Sequence, residues 1–228
     1  MRHFPGFFIT FEGIEGTGKS THAKRLFAYL EEKEYRVLFT AEPGGTEVGD
    51  QIRSILLHPQ TGEVDPVTEL FLFEASRREH VLQVIQPALQ TGRIVLCVRF
   101  CDSTIAYQGY GRGLSVEMIQ YLNRLATNGL VPDLSFLLDI DPEEGLRRSF
   151  HHTSPQELRF EEEFMKKKDI LDSIRNGFFK IAEGEPNRFQ VISTVESKDV
   201  VFEKIKNCVL AAIQDKKRRN EPWDQPLY

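Results

Sequence analysis

Residues 7–20 read FFITFEGIEGTGKS, a short apolar run that leads directly into a glycine-rich loop. The loop, from Gly13 to Ser20, fits the pattern G-x-x-x-x-G-K-[ST] of phosphate-binding loops, which follow a strand and open a helix. The apolar run predicts the strand. The helix is indicated by apolar residues at i, i+3, i+4 and i+7, namely Ala23, Leu26, Phe27 and Leu30. Strand, loop and helix in this order predict a site for the phosphates of a nucleotide.

Each residue type in the loop has a chemical reason to be there. Glycines let the backbone wrap a phosphate with several N–H groups pointing inward, and the positive end of the following helix adds attraction. Lys19 is expected to reach the β- and γ-phosphates, and the Ser20 hydroxyl to bind Mg²⁺. The pattern indicates ATP or GTP without choosing the reaction, although no base-reading Asn-Lys-x-Asp of a GTPase is present. The predicted ATP-binding residues are Gly13, Ile14, Glu15, Gly16, Thr17, Gly18, Lys19, Ser20 and Thr21.

Outward from the loop, short apolar runs alternate with helical patterns along the whole chain. Runs with little polar alternation are typical of strands that are covered on both faces. Strands that alternate with helices predict a three-layer α/β fold with a central five-stranded parallel sheet. The predicted strands are 7–11, 36–40, 93–97, 134–138 and 189–192.

Composition narrows the class of protein. The 228 residues suit one domain, and the net charge of −5 gives no indication of a nucleic-acid-binding surface. Cys97, Cys101 and Cys208 form an odd set with no signal segment before them, which favours a reduced, cytoplasmic protein. Without further Cys or paired His, Cys97 and Cys101 do not predict a zinc site. No apolar run approaches the roughly 20 residues that span a bilayer, so no membrane partner is expected.

Four motifs occur in order along the chain and carry a resemblance to a known family. They are residues 11–21 (FEGIEGTGKST), 42–46 (EPGGT), 73–80 (FEASRREH) and 102–113 (DSTIAYQGYGRG). Together they resemble the signatures of bacterial-type thymidylate kinases, which are P-loop nucleoside monophosphate kinases. The resemblance implies ATP-dependent phosphorylation of dTMP to dTDP with Mg²⁺ by direct in-line transfer, for dTTP synthesis. It also implies a homodimer.

The resemblance assigns the acceptor site residue by residue. Phe73 offers a flat surface on which a pyrimidine can stack, and Arg77, one turn later on the same helix face, can donate to a thymine carbonyl. Arg99 and Arg53 resemble the residues that hold the acceptor phosphate, where a guanidinium fork fits the oxygens well. Tyr107 is expected to favour deoxyribose. The predicted dTMP-binding residues are Glu15, Glu42, Pro43, Arg53, Phe73, Arg77, Arg99, Ser103, Thr104, Tyr107 and Gln108.

The family organisation also implies a lid over the nucleotides. Residues 1–215 are predicted to form the kinase domain with the lid near 142–165, and 216–228 a C-terminal tail. Because the loop carries Glu15 and no arginine, the cation that stabilises the transferring phosphoryl group is expected from the lid. Arg159 fits the family pattern best, and Arg148 comes second. The predicted catalytic residues are Lys19, Arg99, Arg159 and Arg148.

The chain departs from the family pattern at the end of the third strand. Family members carry Asp-Arg there, whereas this chain has Val98-Arg99. The absent carboxylate would help to hold Mg²⁺, so the departure predicts a reduced rate, with Glu12 and Ser20 as the expected metal ligands. Two alternatives remain open at this point. One is a kinase of another nucleoside monophosphate, and the other is a non-catalytic nucleotide-binding protein.

Overall fold

The computed structural model describes residues 4–151 and 153–218. Its centre is a sheet of five parallel strands, as the sequence predicts; numbered in chain order, the strands lie side by side as 2-3-1-4-5. Each strand lies within two residues of its predicted bounds. In chain order the strands are β1 (Phe7–Glu12), β2 (Val37–Ala41), β3 (Ile94–Val98), β4 (Leu134–Asp139) and β5 (Phe189–Ser193).

Helices cover both faces of the sheet and complete the three layers. In chain order they are α1 (Lys19–Glu32), α2 (Glu47–Leu57), α3 (Pro66–His80), α4 (Gln86–Gln90), α5 (Cys101–Thr104), α6 (Val116–Thr127), α7 (Pro142–Phe150), α8 (Arg159–Lys166), α9 (Lys168–Gly184) and α10 (Lys198–Arg218). Wider π-helical turns follow α3 at Val81–Ile85 and α5 at Ile105–Gly111, and 3₁₀ turns occur at Pro59–Thr61 and Pro155–Glu157.

Alternate residues of the central strands bury opposite faces of the sheet. Phe7, Ile9 and Phe11 of β1 pack with α1 and α10 in one core, whereas Phe8 packs on the other face with the segment 81–89. Further along that second face, α9 packs beside β4 and β5 in another cluster. Burial on both faces explains why β1, β3 and β4 read as continuous apolar runs.

The carboxyl ends of β1, β2 and β3 meet at one edge of the sheet, because parallel strands share a direction. Ala41 and Val98 lie opposite each other as the last residues of β2 and β3. The glycine-rich loop leaves β1 beside them, as Phe11 pairs with Val98. Ligands of open α/β sheets bind at such an edge.

The predicted boundary between domain and tail needs correction. Helix α10 continues without a break to Arg218, and the ammonium of Lys216 is buried, donating to the carbonyl of Gly6 at 2.7 Å. The polar run 216–218 therefore belongs to the folded domain. The rest of the predicted tail, 219–228, lies outside the described residues. Within the described ranges, no helix combines the length and apolar character needed to cross a membrane.

Candidate active site

A cavity of about 560 Å³ opens at the carboxyl ends of β1, β2 and β3. The glycine-rich loop forms one side of it, and the end of α5 with the middle of its π-helical extension forms the floor. Helices α2 and α3 close the far side, and the segment 148–161 lies over the top. Its volume falls in the range of small-molecule sites.

The glycines of the loop are required by its close packing. Gly16 has a φ of 70°, and a Cβ there would lie 1.8 Å from the carbonyl oxygen of Gly145 at the middle of α7. Gly13 has a φ of 132°, and a Cβ there would lie 2.2 Å from the carbonyl oxygen of Leu138. Larger residues would push the loop off β4 and α7. The loop is therefore held in place from behind while its open side faces the cavity.

Lys19 crosses the inside of the loop. Its ammonium donates to the carbonyl oxygens of Gly13 at 2.9 Å and Ile14 at 2.5 Å. Burial, and after it the positive charge of Arg99, lowers the pKa of Lys19 to about 7. An anionic phosphate in the loop would favour the charged form of this amine.

Glu15, Arg99 and Tyr107 form a linked group on the cavity wall. The Arg99 guanidinium donates to Glu15 Oε1 at 2.9 Å, and the Tyr107 hydroxyl donates to the same oxygen at 2.6 Å. The guanidinium also stacks 4.9 Å from the centre of the Tyr107 ring. Arg99 has a φ of 64°, a conformation that is uncommon for residues with a side chain. The link fixes a cation and a phenol at the place predicted for the acceptor sugar and phosphate.

Arg77 is more deeply buried than the sequence suggests, with 2% of its surface exposed. Its Nε donates to Glu42 at 2.9 Å, and its Nη1 donates to Glu74 at 2.9 Å and to Asn123 at 2.8 Å. The third nitrogen, Nη2, makes none of these bonds. Because Arg77 also lines the cavity, it can present one fixed donor to a bound base.

Every residue predicted for the acceptor lies on the wall of the cavity. The predicted ATP-binding residues divide into two groups. Glu15, Gly16, Gly18, Lys19, Ser20 and Thr21 line the cavity, whereas Gly13, Ile14 and Thr17 do not. Ile14 packs into the apolar core, and the Thr17 hydroxyl donates to the Ile14 carbonyl at 3.0 Å. The side chains of this second group thus support the loop from behind.

The two predicted lid arginines lie in different places, and the preference for Arg159 needs correction. Arg159 is buried; its Nη2 donates to Glu69 at 2.5 Å and its Nε donates to the carbonyl of Leu56. The described wall of the cavity includes Arg148 but not Arg159. Arg148 is about one-third exposed and is oriented by Glu144, which accepts from its Nε at 2.7 Å. The geometry therefore favours Arg148 as the lid cation.

Arg53 is also engaged by the lid segment. Its Nε and Nη2 donate to the two carboxylate oxygens of Glu157 at 2.8 and 2.9 Å, and its Nη1 donates to the Pro43 carbonyl at 2.8 Å. Arg53 and Glu157 both line the cavity and are each about one-third exposed. Glu157 thus binds the guanidinium nitrogens of Arg53 that the sequence analysis assigns to the acceptor phosphate.

With this geometry in place, the family model described as thymidylate kinase matches residues 11–205. The chain belongs to the thymidylate kinase family. The thymidylate kinase of Syntrophotalea carbinolica is 46% identical over 203 residues, which cover 87% of this chain and 93% of that one. The thymidylate kinase of Geotalea daltonii is 49% identical over 189 residues, covering 82% and 88%.

A solved structure shows the same relationship in three dimensions. The crystal structure of thymidylate kinase from Ehrlichia chaffeensis matches with a TM-score of 0.71 and 36% identity. The match covers 90% of this chain and 98% of that one. The resemblance noted from the four sequence motifs is therefore confirmed, and so is the α/β fold.

In this thymidylate kinase the predicted metal ligand Glu12 is poorly placed. It is fully buried, lies off the described cavity wall, and accepts a hydrogen bond from the Ser103 hydroxyl at 2.6 Å. Burial, and after it the charge of Asp102, raises the pKa of Glu12 to about 8. Because Ser20 lines the cavity and Glu12 does not, the geometry favours Ser20 over Glu12 as a metal ligand.

Sequence reasoning missed a carboxylate that does line the cavity. Glu161 accepts from the hydroxyls of Ser149 at 2.7 Å and Thr153 at 3.0 Å. Burial, and after it the charge of Glu15, raises the pKa of Glu161. In the sequence, the run Glu161–Glu163 is typical of a solvent-exposed helix face. Only the packing of α8 shows that Glu161 lines the cavity.

Proposed function

We propose that this thymidylate kinase transfers the γ-phosphoryl group of ATP to dTMP, forming dTDP. The observation that carries the proposal is that the phosphate-binding loop and all the predicted acceptor residues face one cavity. Donor and acceptor phosphates would thus meet inside one site. An oxygen of the acceptor phosphate attacks the γ-phosphorus directly, so no covalent enzyme intermediate is required.

Catalysis in this arrangement comes from alignment and charge neutralisation. Lys19 approaches the transferring group from the loop, Arg99 holds the acceptor phosphate, and Arg148 supplies the lid cation. Phe73 and Arg77 orient the base. We also propose that 142–165 serves as the lid of a single domain that extends from the first described residue to residue 218, acting in the cytoplasm.

The residues present fit a Mg²⁺ ion. Glu15 Oε2 is buried without a hydrogen-bond partner among the described residues, and the nearby Glu161 is raised in pKa partly by the charge of Glu15. Glu15, Glu161 and Ser20 line the same cavity and carry the kind of oxygen ligands that Mg²⁺ accepts along with nucleotide phosphates. When bound, the ion would neutralise the phosphate charge.

The activity is tested by ranking acceptors in a coupled assay with ATP and Mg²⁺. We expect the highest kcat/KM with dTMP over dCMP, dAMP and dGMP. A higher value with another monophosphate would favour a kinase of that nucleotide. Nucleotide binding without turnover would favour the non-catalytic alternative.

Val98 gives a first prediction about metal dependence. Val98 lines the cavity at the end of β3, and its apolar side chain cannot bind a cation. We expect Val98→Asp to reach half-maximal rate at a lower Mg²⁺ concentration and to turn over faster, with the dTMP KM nearly unchanged. Titrating Mg²⁺ in the assay measures this. A variant that is slower at every Mg²⁺ concentration would mean that the added charge only repels the existing carboxylates.

The pair Arg53–Glu157 gives a second prediction. Replacing Glu157 with glutamine should lower the dTMP KM, because Arg53 is then released for the acceptor phosphate. The expected change is up to about fivefold, since a partly exposed ion pair contributes about 1 kcal/mol or less. Glu162→Gln, which neutralises an exposed carboxylate on the same segment, is the control. A higher KM in Glu157→Gln would show that the pair instead positions Arg53 for binding.

We also propose that the enzyme is a homodimer formed through α2, α3 and α6. These helices pack side by side, and each exposes apolar side chains. Val67 and Phe71, one turn apart on α3, are 37% and 56% exposed, although the opposite face of α3 is already buried in the core. A helix that is apolar on both sides is typical of a buried position. The flanking exposed residues are Val48, Ile55, Met118, Tyr121 and Leu125.

Phe71→Asp is expected to convert the dimer to a monomer, because it introduces a charge at the centre of this face. Light scattering coupled to size-exclusion chromatography measures the mass. Val195→Asp, at a valine that is 75% exposed in the turn before α10, should leave the mass unchanged. A monomeric wild type, or a Phe71→Asp variant that stays dimeric, would contradict the proposal.

A further inference from the structure

A buried carboxylate behind the acceptor site carries four hydrogen bonds. Glu69, in the first turn of α3, has none of its surface exposed. Its Oε1 accepts from Gln108 Nε2 at 2.8 Å and from Arg112 Nε at 3.1 Å. Its Oε2 accepts from Arg112 Nη2 at 3.2 Å and from Arg159 Nη2 at 2.5 Å. Glu69 itself lies off the described cavity wall, whereas Gln108 lines it.

The charge on Glu69 determines which way the Gln108 amide faces. Both oxygens of Glu69 accept hydrogen bonds from arginines, so the NH₂ group of Gln108, the donor end of its amide, must face the carboxylate. The carbonyl oxygen of the same amide then points away from Glu69. Gln108 is 1% exposed, which restricts its freedom to turn. Gln108 therefore offers the cavity an acceptor.

An acceptor at this position selects among pyrimidines. The ring N3 of thymine and uracil carries a hydrogen, whereas N3 of cytosine is itself an acceptor, so only the first two bases can donate to Gln108 from N3. A site built to hydrogen-bond one group discriminates strongly against an analogue that leaves the bond unmade. We propose that Glu69 is a specificity-determining positioning residue, which acts through Gln108 to select an N3–H base. This inference rests on the proposed function and deepens it.

The contacts around Glu69 predict how the amide of a glutamine at this position would be oriented. In Glu69→Gln, the amide oxygen should remain at the Oε2 position, where it meets nitrogens of two arginines, Arg112 and Arg159. The NH₂ group then replaces Oε1, which gives up the bond from Arg112 Nε, and faces Gln108. Gln108 must turn its own carbonyl toward residue 69, which presents NH₂ to the cavity and reverses the preferred partner at N3.

The test compares kcat/KM for dTMP, dUMP and dCMP among five proteins: wild type, Glu69→Gln, Gln108→Met, the double variant that combines these two, and Glu163→Gln. We expect Glu69→Gln to lower the dTMP-to-dCMP ratio by about tenfold or more, with dTMP and dUMP affected alike and the KM for ATP unchanged. Gln108→Met should also lower the ratio, and adding Glu69→Gln to it should cause little further change. Glu163 binds Arg112 without contacting Gln108, so Glu163→Gln should keep the wild-type ratio.

The control separates positioning from a general structural role. If Glu163→Gln lowers the dTMP-to-dCMP ratio as much as Glu69→Gln does, Glu69 only stabilises the lid, and the proposal is overturned. If Glu69→Gln does not fold, Gln108→Met decides, because it leaves the arginines paired; an unchanged ratio in that variant would overturn the proposal. Absence of dTMP turnover in the wild type would instead contradict the proposed function itself.

Discussion

Replacing Lys19 with alanine is expected to lower turnover by about three orders of magnitude, while the fold is kept. Removing a single preorganised donor from a transition-state site costs about 10²–10³ in kcat, and Lys19 brings a full charge to the transferring phosphoryl group. Among the described residues, the side chain bonds only to carbonyls of its own loop and to the Thr17 hydroxyl. The melting temperature should therefore fall by no more than about 4 °C, the shift that about 1 kcal/mol causes in a domain of this size.

Lys24 provides the matched control for this prediction. It lies on the same helix, is exposed, and contacts the Phe39 ring at 5.9 Å without reaching the cavity. Lys24→Ala should keep wild-type turnover. A Lys19→Ala variant with near-normal turnover would remove the assignment of the loop to phosphate transfer.

Replacing Arg77 with methionine is expected to impair both stability and acceptor binding. Arg77 is the shared partner of Glu42 and Glu74, both of which are buried. Removing one side of a buried ion pair leaves an uncompensated charge and costs about 3–5 kcal/mol. The dTMP KM should rise strongly because a base carbonyl loses its donor, while the KM for ATP should hardly change. Chemical denaturation and steady-state kinetics measure the two effects.

Neighbouring Arg78 is the control for Arg77. It bonds to Asn128 and to backbone carbonyls at the end of α6, away from the cavity, so Arg78→Met should leave both KM values unchanged. If Arg77→Met does not fold, Arg77→Lys carries the test. It keeps the charge, but one ammonium cannot replace the guanidinium fork, so the dTMP KM should still rise. Equal weakening for both nucleotides would assign Arg77 a purely structural role.

Residues with a strong local pattern were predictable from the sequence. Three of the five strands, β1, β3 and β4, were identifiable because they are buried on both faces and carry continuous apolar runs. The loop from Gly13 to Ser20 was identifiable because its glycine spacing follows from backbone geometry. The acceptor residues were placed by motif resemblance, and the fold brings them all to one wall.

Residues whose roles depend on side-chain partners far away in the sequence were not predictable. The family pattern favours Arg159 over Arg148 as the lid cation, but the buried Glu69, ninety positions away, binds Arg159 off the cavity wall. Glu12 directly precedes the loop and resembles a metal ligand, but its neutral form follows from burial and from Asp102. Lys216 was assigned to a tail because its contact with Gly6, almost the whole chain away, cannot be predicted from the residues around it.

The central claim is that one cavity carries a phosphoryl group from ATP to dTMP. The most direct measurement follows a radioactive label from the γ-phosphate of ATP through a single incubation with the purified enzyme, Mg²⁺ and dTMP. The account predicts that the label is found in the terminal phosphate of dTDP, at a rate that Lys19→Ala lowers by about three orders of magnitude. Label released as inorganic phosphate, or retained in ATP while dTMP stays unchanged, would contradict it.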